Sequence, residues 1–397
     1  MRKSLIVILA AALAACGPAA EKEPNDELSQ ATVIGRRGAK GKISKASDVD
    51  AYRLEMGREG SLDGRIGGIR GVDFVLSVRD AERRELKRYD ETATGGDEEI
   101  RDLGLGAGSY YVVVSNKDEK AANAEQEYTL ELKLAQGPGR EREPNESAQS
   151  ASKLDVPGLT RGHYFPPRNL LSDDTGYAEV DWLSAEIAQE GLFLLNIDVS
   201  EVAKVDAVLE VYDTNFYKLK EIDLGGVGEG ESLQNFGVRG PARYLLRLYA
   251  KRPGSGNAET PYEVLTELIP YQGRSEFEPN EQRADATPFG PESVSGTVSP
   301  EGDVDWYKVS VTDEQRMILR AGVQGPESLD LKLSFCDSLG QPLISADSAG
   351  KGQPELVTGV GVSKGEYYLV VSEKSGRKAD ARNAYTLNRS LVPYQPG

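Results

Sequence analysis

Apolar and polar residues alternate over short runs along most of the chain, and this alternation predicts strands. Tyr128, Leu130, Leu132 and Leu134 interleave with Thr129, Glu131 and Lys133, the period-two pattern of a half-buried strand. Leu329, Leu331, Leu333 and Phe335 interleave with Asp330, Lys332 and Ser334, which places Cys336 on the face opposite the apolar one. Val72-Asp73-Phe74-Val75-Leu76-Ser77-Val78 and Ser109-Tyr110-Tyr111-Val112-Val113-Val114-Ser115 also read as strands. Glycine-rich punctuation separates them, as at Gly67-Gly68 and Gly104-Leu105-Gly106-Ala107-Gly108. No stretch carries the period of an amphipathic helix. The alternative is a few short helical turns near Asn25-Asp26-Glu27 and Asn145-Glu146-Ser147, residues suited to capping one.

The pattern repeats three times. Glu21-Lys22-Glu23-Pro24-Asn25-Asp26, Glu141-Arg142-Glu143-Pro144-Asn145-Glu146 and Glu276-Phe277-Glu278-Pro279-Asn280-Glu281 are copies of one segment. Each is followed by a second acidic cluster: Asp48-Val49-Asp50, Glu179-Val180-Asp181 and Asp303-Val304-Asp305. From the middle Glu to the last Asp the separation is 27 residues in copies one and three and 38 in copy two. An aromatic strand then begins at Tyr110, Tyr244 or Tyr367, and a second tyrosine strand follows at Tyr128, Tyr262 or Tyr385, 18 residues later in every copy. A fixed interval between strands repeated three times predicts a tandem array of one domain. The expected units are 21–136, 140–272 and 275–397, joined by linkers short enough to favour a semi-rigid array. The extra residues of unit two fall at about 163–175, around His163-Tyr164-Phe165, and read either as a binding loop or as an insertion packed on its own or a neighbouring domain.

Arg2 and Lys3 precede an apolar run from Leu5 to Leu13, too short to span a bilayer, which needs about 20 residues. Residues 1–15 are therefore read as a secretion signal. Leu13-Ala14-Ala15-Cys16 resembles a bacterial lipobox. That resemblance implies a lipidated Cys16, a tether over 16–20 reaching about 20 Å when extended, and, with Gly17 next, the outer membrane. With Cys16 acylated, Cys336 has no partner for an intramolecular disulfide.

Charge and residue counts narrow the chemistry. The chain carries a formal charge of −17, and without Arg2 and Lys3 it has 45 basic and 64 acidic residues, or −19. That argues against nucleic acid and against an electrostatic grip on anionic lipid, and suits a solvated surface or the recruitment of divalent cations. One histidine, His163, rules out a histidine-based triad and a multi-histidine metal centre by count. Gly361-Val362-Ser363-Lys364-Gly365 spells a nucleophile elbow but precedes a strand, and no histidine follows it. Asp174-Thr175-Gly176 has no second copy, and the carboxylates of Glu229 and Glu231 among Gly226, Gly228 and Gly230 would repel phosphate. The expectation is a chain that is not an enzyme.

The recurring acidic segments admit two readings. Their carboxylates and amide oxygens are the hard ligands calcium prefers, six to eight at a time, with the proline holding the local backbone. Equally, the segment can be a turn in which Asn and Asp satisfy backbone groups. E-x-E-P-N-[DE], then D-V-D-W-Y, G-x-Y-Y-x-V-V and a closing Y-T-L strand together resemble the bacterial pre-peptidase C-terminal domain. That family includes the collagen-binding domains of clostridial collagenases. The resemblance covers three copies from about Glu21 to Tyr394 and implies three tandem antiparallel β-sandwiches of jelly-roll type. For calcium it implies the ligand positions Glu21, Glu23, Asn25, Asp26 and Asp50; Glu141, Glu143, Asn145, Glu146 and Asp181; and Glu276, Glu278, Asn280, Glu281 and Asp305. Asp48 and Asp303 join the first and third sets as the leading residues of their D-V-D clusters. The sixth motif position is Glu in copies two and three, a departure from the family pattern. The function expected is a lipid-anchored envelope protein presenting binding modules to a protein or polysaccharide of the envelope or matrix. Two alternatives are a structural subunit or assembly factor of a larger envelope complex, and an unrecognised hydrolase.

Overall fold

A computed structural model describes residues 17–165, 180–252, 254–290 and 293–395. The expected signal segment, Cys16, Glu179, the Asp174-Thr175-Gly176 match and most of the expected insertion lie outside the described residues. Among the described residues the regular structure is strand, apart from three 3-10 turns, and no helix is long and apolar enough to cross a membrane. The chain divides into two compact units, one ending at Pro144 and the other beginning at Asn145.

In the first unit, one five-stranded sheet orders Thr32–Val33, Val49–Met56, Gly108–Asn116, Phe74–Arg79 and Glu85–Tyr89. A second orders Ala19–Ala20, Ala39–Ile43, Asn123–Gln136, Gly60–Ile66 and Glu98–Leu105. Alternation decides what lies between them: Leu54, Phe74, Leu76 and Val112 of one sheet and Leu62, Ile66, Tyr128 and Leu130 of the other are all buried. Phe74 meets Tyr128 edge-on across the gap, ring centroids 5.4 Å apart. This is a β-sandwich whose core excludes water from both inner faces.

Among the described residues the second unit holds two large hydrophobic cores. Around the first, Val180–Val199 and Glu231–Ala250 are each 20 residues long and belong to one continuous sheet with Gly158–Tyr164, Asn257–Pro270, Ala207–Tyr212, Lys218–Ile222 and Ser152–Leu154. The layers are thus joined by strands that bend from one to the other, near Gly191 and its partner Gly240. Gly191 has φ 132°, a conformation that glycine adopts without penalty. Around the second core, Thr287–Pro288, Val304–Val311, Gly365–Glu373, Leu331–Cys336 and Pro342–Ala346 form one sheet, and Ser293–Val298, Asp380–Pro393, Met317–Gln324 and Glu355–Val362 the other. The fold is all-β and built of sandwiches.

One expectation needs correction, and another holds with an addition. His163 and Tyr164 do not stand in a loop: they end the strand Gly158–Tyr164 and are buried, with Tyr164 packed on Tyr262 at 4.8 Å. A tyrosine that can fill the core pays the entropy of being ordered, so the strand runs on through it. Cys336 does lie on the face opposite Leu331, Leu333 and Phe335, but that face is covered as well, by Trp306, Tyr368 and Val370. The anticipated short turns do follow each acidic segment, at Leu28–Gln30, Ala148–Ser150 and Arg283–Asp285. Only the second has a side-chain cap, and it is Ser147 rather than Asn145.

Candidate metal centres

In each copy the Asn of the acidic segment is held by its backbone carbonyl against the strand that carries the last Asp of the second acidic cluster. Ala51 N–H donates to the Asn25 carbonyl at 3.0 Å, Trp182 to Asn145 at 2.9 Å and Trp306 to Asn280 at 3.1 Å. The peptide bond before the proline is cis in all three copies. In the first set the carboxylates of Glu21, Glu23 and Asp50 converge within 4.8 Å of one another. Glu21 accepts the Lys42 N–H at 3.0 Å, and Asp48 accepts the N–H and hydroxyl of Ser44 at 2.5 and 2.8 Å. Asn25 is buried, and its Oδ1 has no hydrogen-bond donor; neither does Oδ1 of buried Asp50. Burial pushes the Asp50 carboxyl up to about 8, with the charges of Glu21 and Asp48 adding to the shift and a hydrogen bond from Tyr128 opposing it. Burial likewise raises Glu21. The cation at this set is Lys45, 2.7 Å from Asp26 and 3.7 Å from Asp48, with a side chain 54% exposed. Its hydrogen bond to Asp26 holds that carboxyl below its usual range.

The third set has the same frame and a different occupant. Glu276, Glu278 and Asp305 converge within 4.8 Å, as do Glu278, Glu281 and Asp303. All but Glu281 are buried. Glu276 accepts Thr297 N–H and Oγ1–H, both at 2.9 Å, and Asp303 accepts Ser299 N–H at 2.7 Å. Burial raises Glu276, Glu278 and Asp305, and pushes Asp303 up to about 7. Lys220 Nζ lies 3.0 Å from Glu278 Oε2 and 2.6 Å from Glu281 Oε1, with its side chain 5% exposed. Burial alone would lower its pKa; the charges of Glu278, Asp303 and Glu281 outweigh that and raise it.

In the second copy the division between units falls at Pro144. Glu141 and Glu143 are buried residues of the first unit, where Lys87 Nζ lies 3.0 Å from Glu143 Oε1. Asn145 and Asp181 are buried residues of the second, where Tyr262 donates to Asp181 at 3.0 Å.

Several participants have no acidic signature. Tyr128, Tyr262 and Tyr385, the tyrosines at the constant interval, donate to Asp50, Asp181 and Asp305 at 2.5, 3.0 and 2.8 Å. Tyr52 and Tyr307 hydrogen-bond to Tyr128 and Tyr385, each at 2.6 Å. Gly41 and Gly296 form the floor of their sets, where a Cβ would strike Glu21 and Tyr128, or Glu276 and Tyr385. The fixed spacing of the tyrosines was the available signal for this role. Lys87 and Lys220 have none, since each stands more than fifty residues from the carboxylate it meets.

The donor chemistry of the first set fits a hard cation. Glu21 and Asp50, raised by burial where the carboxylates converge, and the buried oxygens lacking donors are stabilised by a positive charge placed among them. The third set already has one.

No family model matches the chain, and no curated protein matches it. Solved structures similar to it include the pre-peptidase C-terminal domain of collagenase from Bacillus anthracis, 18% identical over 28% of this chain and 100% of that one, with a TM-score of 0.23. Others are a putative secreted protein from Eubacterium rectale (12% identity, 58% of this chain and 74% of that one, TM-score 0.18) and the BSP domain of a biofilm-associated protein (9%, 88% and 79%, 0.17). The fold described above rests on strand pairing and core packing.

Proposed function

We propose that this chain is a non-enzymatic, lipid-anchored envelope protein that presents β-sandwich binding modules and holds calcium at its first acidic set. Glu21, Glu23, Asn25, Asp26, Asp48 and Asp50 would hold the ion, which supplies charge neutralisation and ties the segment at 21–26 to the strand at 49–56. The observation that carries the calcium reading is the pair of buried oxygens, Asn25 Oδ1 and Asp50 Oδ1, that lack donors beside raised carboxylates. Lys45 is exposed and free to turn into solvent, so it does not bar the ion. The threefold repetition and the resemblance in the acidic and tyrosine motifs support the binding role. The lipobox resemblance at Leu13–Cys16 supports the anchor, and the negative charge turns the search for partners toward proteins and polysaccharides.

Thermal melting of the chain lacking residues 1–16 tests the calcium reading. An ion that binds only the folded state adds RT ln(1 + [L]/Kd), about 2.7 kcal/mol at 100 times Kd, so the melting temperature of the first unit should rise by several degrees. Chelator should reverse the rise, and magnesium, which demands tighter octahedral geometry, should do far less. Glu23→Gln and Asp50→Asn should each abolish the response; a response that survives both places the ion elsewhere. Pull-down from envelope fractions, run beside binding to collagen, chitin and peptidoglycan, tests the role. Saturable binding to one of these polymers supports a binding module. Co-purification with envelope proteins at fixed stoichiometry, without polymer binding, supports a structural subunit instead.

A further inference from the structure

The lysines that meet the second and third acidic segments come from one place in the repeat. Strand register sets Val78 opposite Lys87, Val211 opposite Lys220 and Phe335 opposite Ile344. Each hairpin turn is closed in the same way: Asp80, Asp213 or Asp337 accepts the backbone N–H four residues on, from Arg84, Tyr217 or Gln341. The hairpin that ends in Lys87 precedes the second acidic segment in the chain, and Lys87 meets Glu143. The hairpin that ends in Lys220 precedes the third, and Lys220 meets Glu278 and Glu281. In each case the lysine reaches the middle Glu of the segment that follows. The third hairpin has Ile344 at this position, 41% exposed.

A second contact holds the third segment to the same neighbour. Gly237 N–H donates to the Glu278 carbonyl at 2.7 Å, Glu278 N–H to the Asn235 carbonyl at 3.3 Å, and Asn235 Nδ2–H to Glu276 Oε1 at 3.1 Å. Glu276 and Glu278 are thereby held by residues that also pack the preceding sandwich. Buried carboxylates destabilise a fold strongly unless a counter-charge is present. At the first set that charge sits on an exposed lysine able to withdraw. Lys220 is enclosed, with its side chain 5% exposed, so an ion entering this set must displace a buried ammonium that already pairs with Glu278 and Glu281.

We propose that the third acidic set is a built site for the Lys220 ammonium and not for a metal ion. The preceding sandwich supplies the cation of the one that follows, and this contact joins the two without calcium. One set then answers to calcium while the other keeps neighbouring sandwiches in register at any calcium level.

The test uses the chain lacking residues 1–16 and carrying Glu23→Gln, which silences the first set whether or not the calcium reading of that set is right. Adding Lys220→Gln should raise the calcium bound in equilibrium dialysis by one ion per chain. Trypsin should cut several-fold faster after Arg274, an exposed residue in the short link before Glu276, and calcium should slow that cut again. Equal calcium uptake with and without Lys220, or an unchanged rate of cutting, overturns the proposal. Should Lys220→Gln fail to fold, the triple change Lys220→Gln, Glu278→Gln and Glu281→Gln decides: recovery of folding supports a charge pairing, and no recovery overturns it. Loss of the wild-type calcium response in Glu23→Gln reports on the first set alone, so the two readings fail separately.

Discussion

Tyr128 shows how much one side chain decides. It is buried, donates to Asp50 at 2.5 Å and bonds Tyr52 at 2.6 Å, so it completes the sandwich core and supports the acidic set at once. Tyr128→Phe leaves an Asp50 oxygen without its donor and should cost about 1–3 kcal/mol in urea unfolding of the first unit; a change under a few tenths would mean that Asp50 is satisfied by other means. The same carboxyl sets a pH dependence. Asp50 titrates near 8 in the folded chain and near its ordinary value, about 3.9, when unfolded. Between those values the native state binds more protons, so this contribution is complete below pH 4 and is lost as pH rises through 8. Asp303, near 7, acts in the same direction. With chelator present, the unfolding free energy should fall from pH 5 to pH 8, by at most about 1.4 kcal/mol per pH unit for each proton, and the urea midpoint with it. A midpoint that rises over this range contradicts the assignment.

Strands and turns show what periodicity conveys. Alternation marked the closing strand through Tyr128, Leu130 and Leu132, and all three are buried as it requires. It could not reveal that Val180–Val199 and Glu231–Ala250 each pass between layers, because a polar gap at a bend looks the same as a gap between two strands. Gly237 and Gly361 occupy matching places, six residues after Glu231 and Glu355, whose carboxylates each accept nearby backbone N–H groups. They differ in what they face. A Cβ on Gly237 would collide with the Phe277 ring and come within 2.6 Å of the Glu278 carbonyl oxygen; the nearest atoms to one on Gly361 belong to the flexible Arg316 guanidinium, at 2.8 Å and beyond. Gly237→Ala should therefore cost about 1–3 kcal/mol and speed trypsin cutting after Arg274, whereas Gly361→Ala should stay within about 0.5 kcal/mol. Equal melting temperatures for the two variants would show that the close approach at Gly237 is not needed.

For the whole molecule, the charge of −17 and the single histidine lead to the expectation of partners other than nucleic acid and of no histidine-based triad. The proposed attachment to a membrane rests on Cys16: Cys16→Ser should abolish incorporation of labelled lipid, and a wild-type chain that takes up no label refutes the anchor. The all-β class, the recurrence of the acidic segments and the interval between tyrosines were readable because each depends on neighbours in the chain, where alternation and spacing repeat. The counter-ion at each acidic set was not. Lys220 is one of 47 basic residues and carries no local mark; it lies 58 residues from Glu278 and 61 from Glu281. Coulomb attraction between buried groups depends on separation in space and on exclusion of water, and only the packing of one sandwich against the next brings that ammonium to 3.0 Å and seals it there.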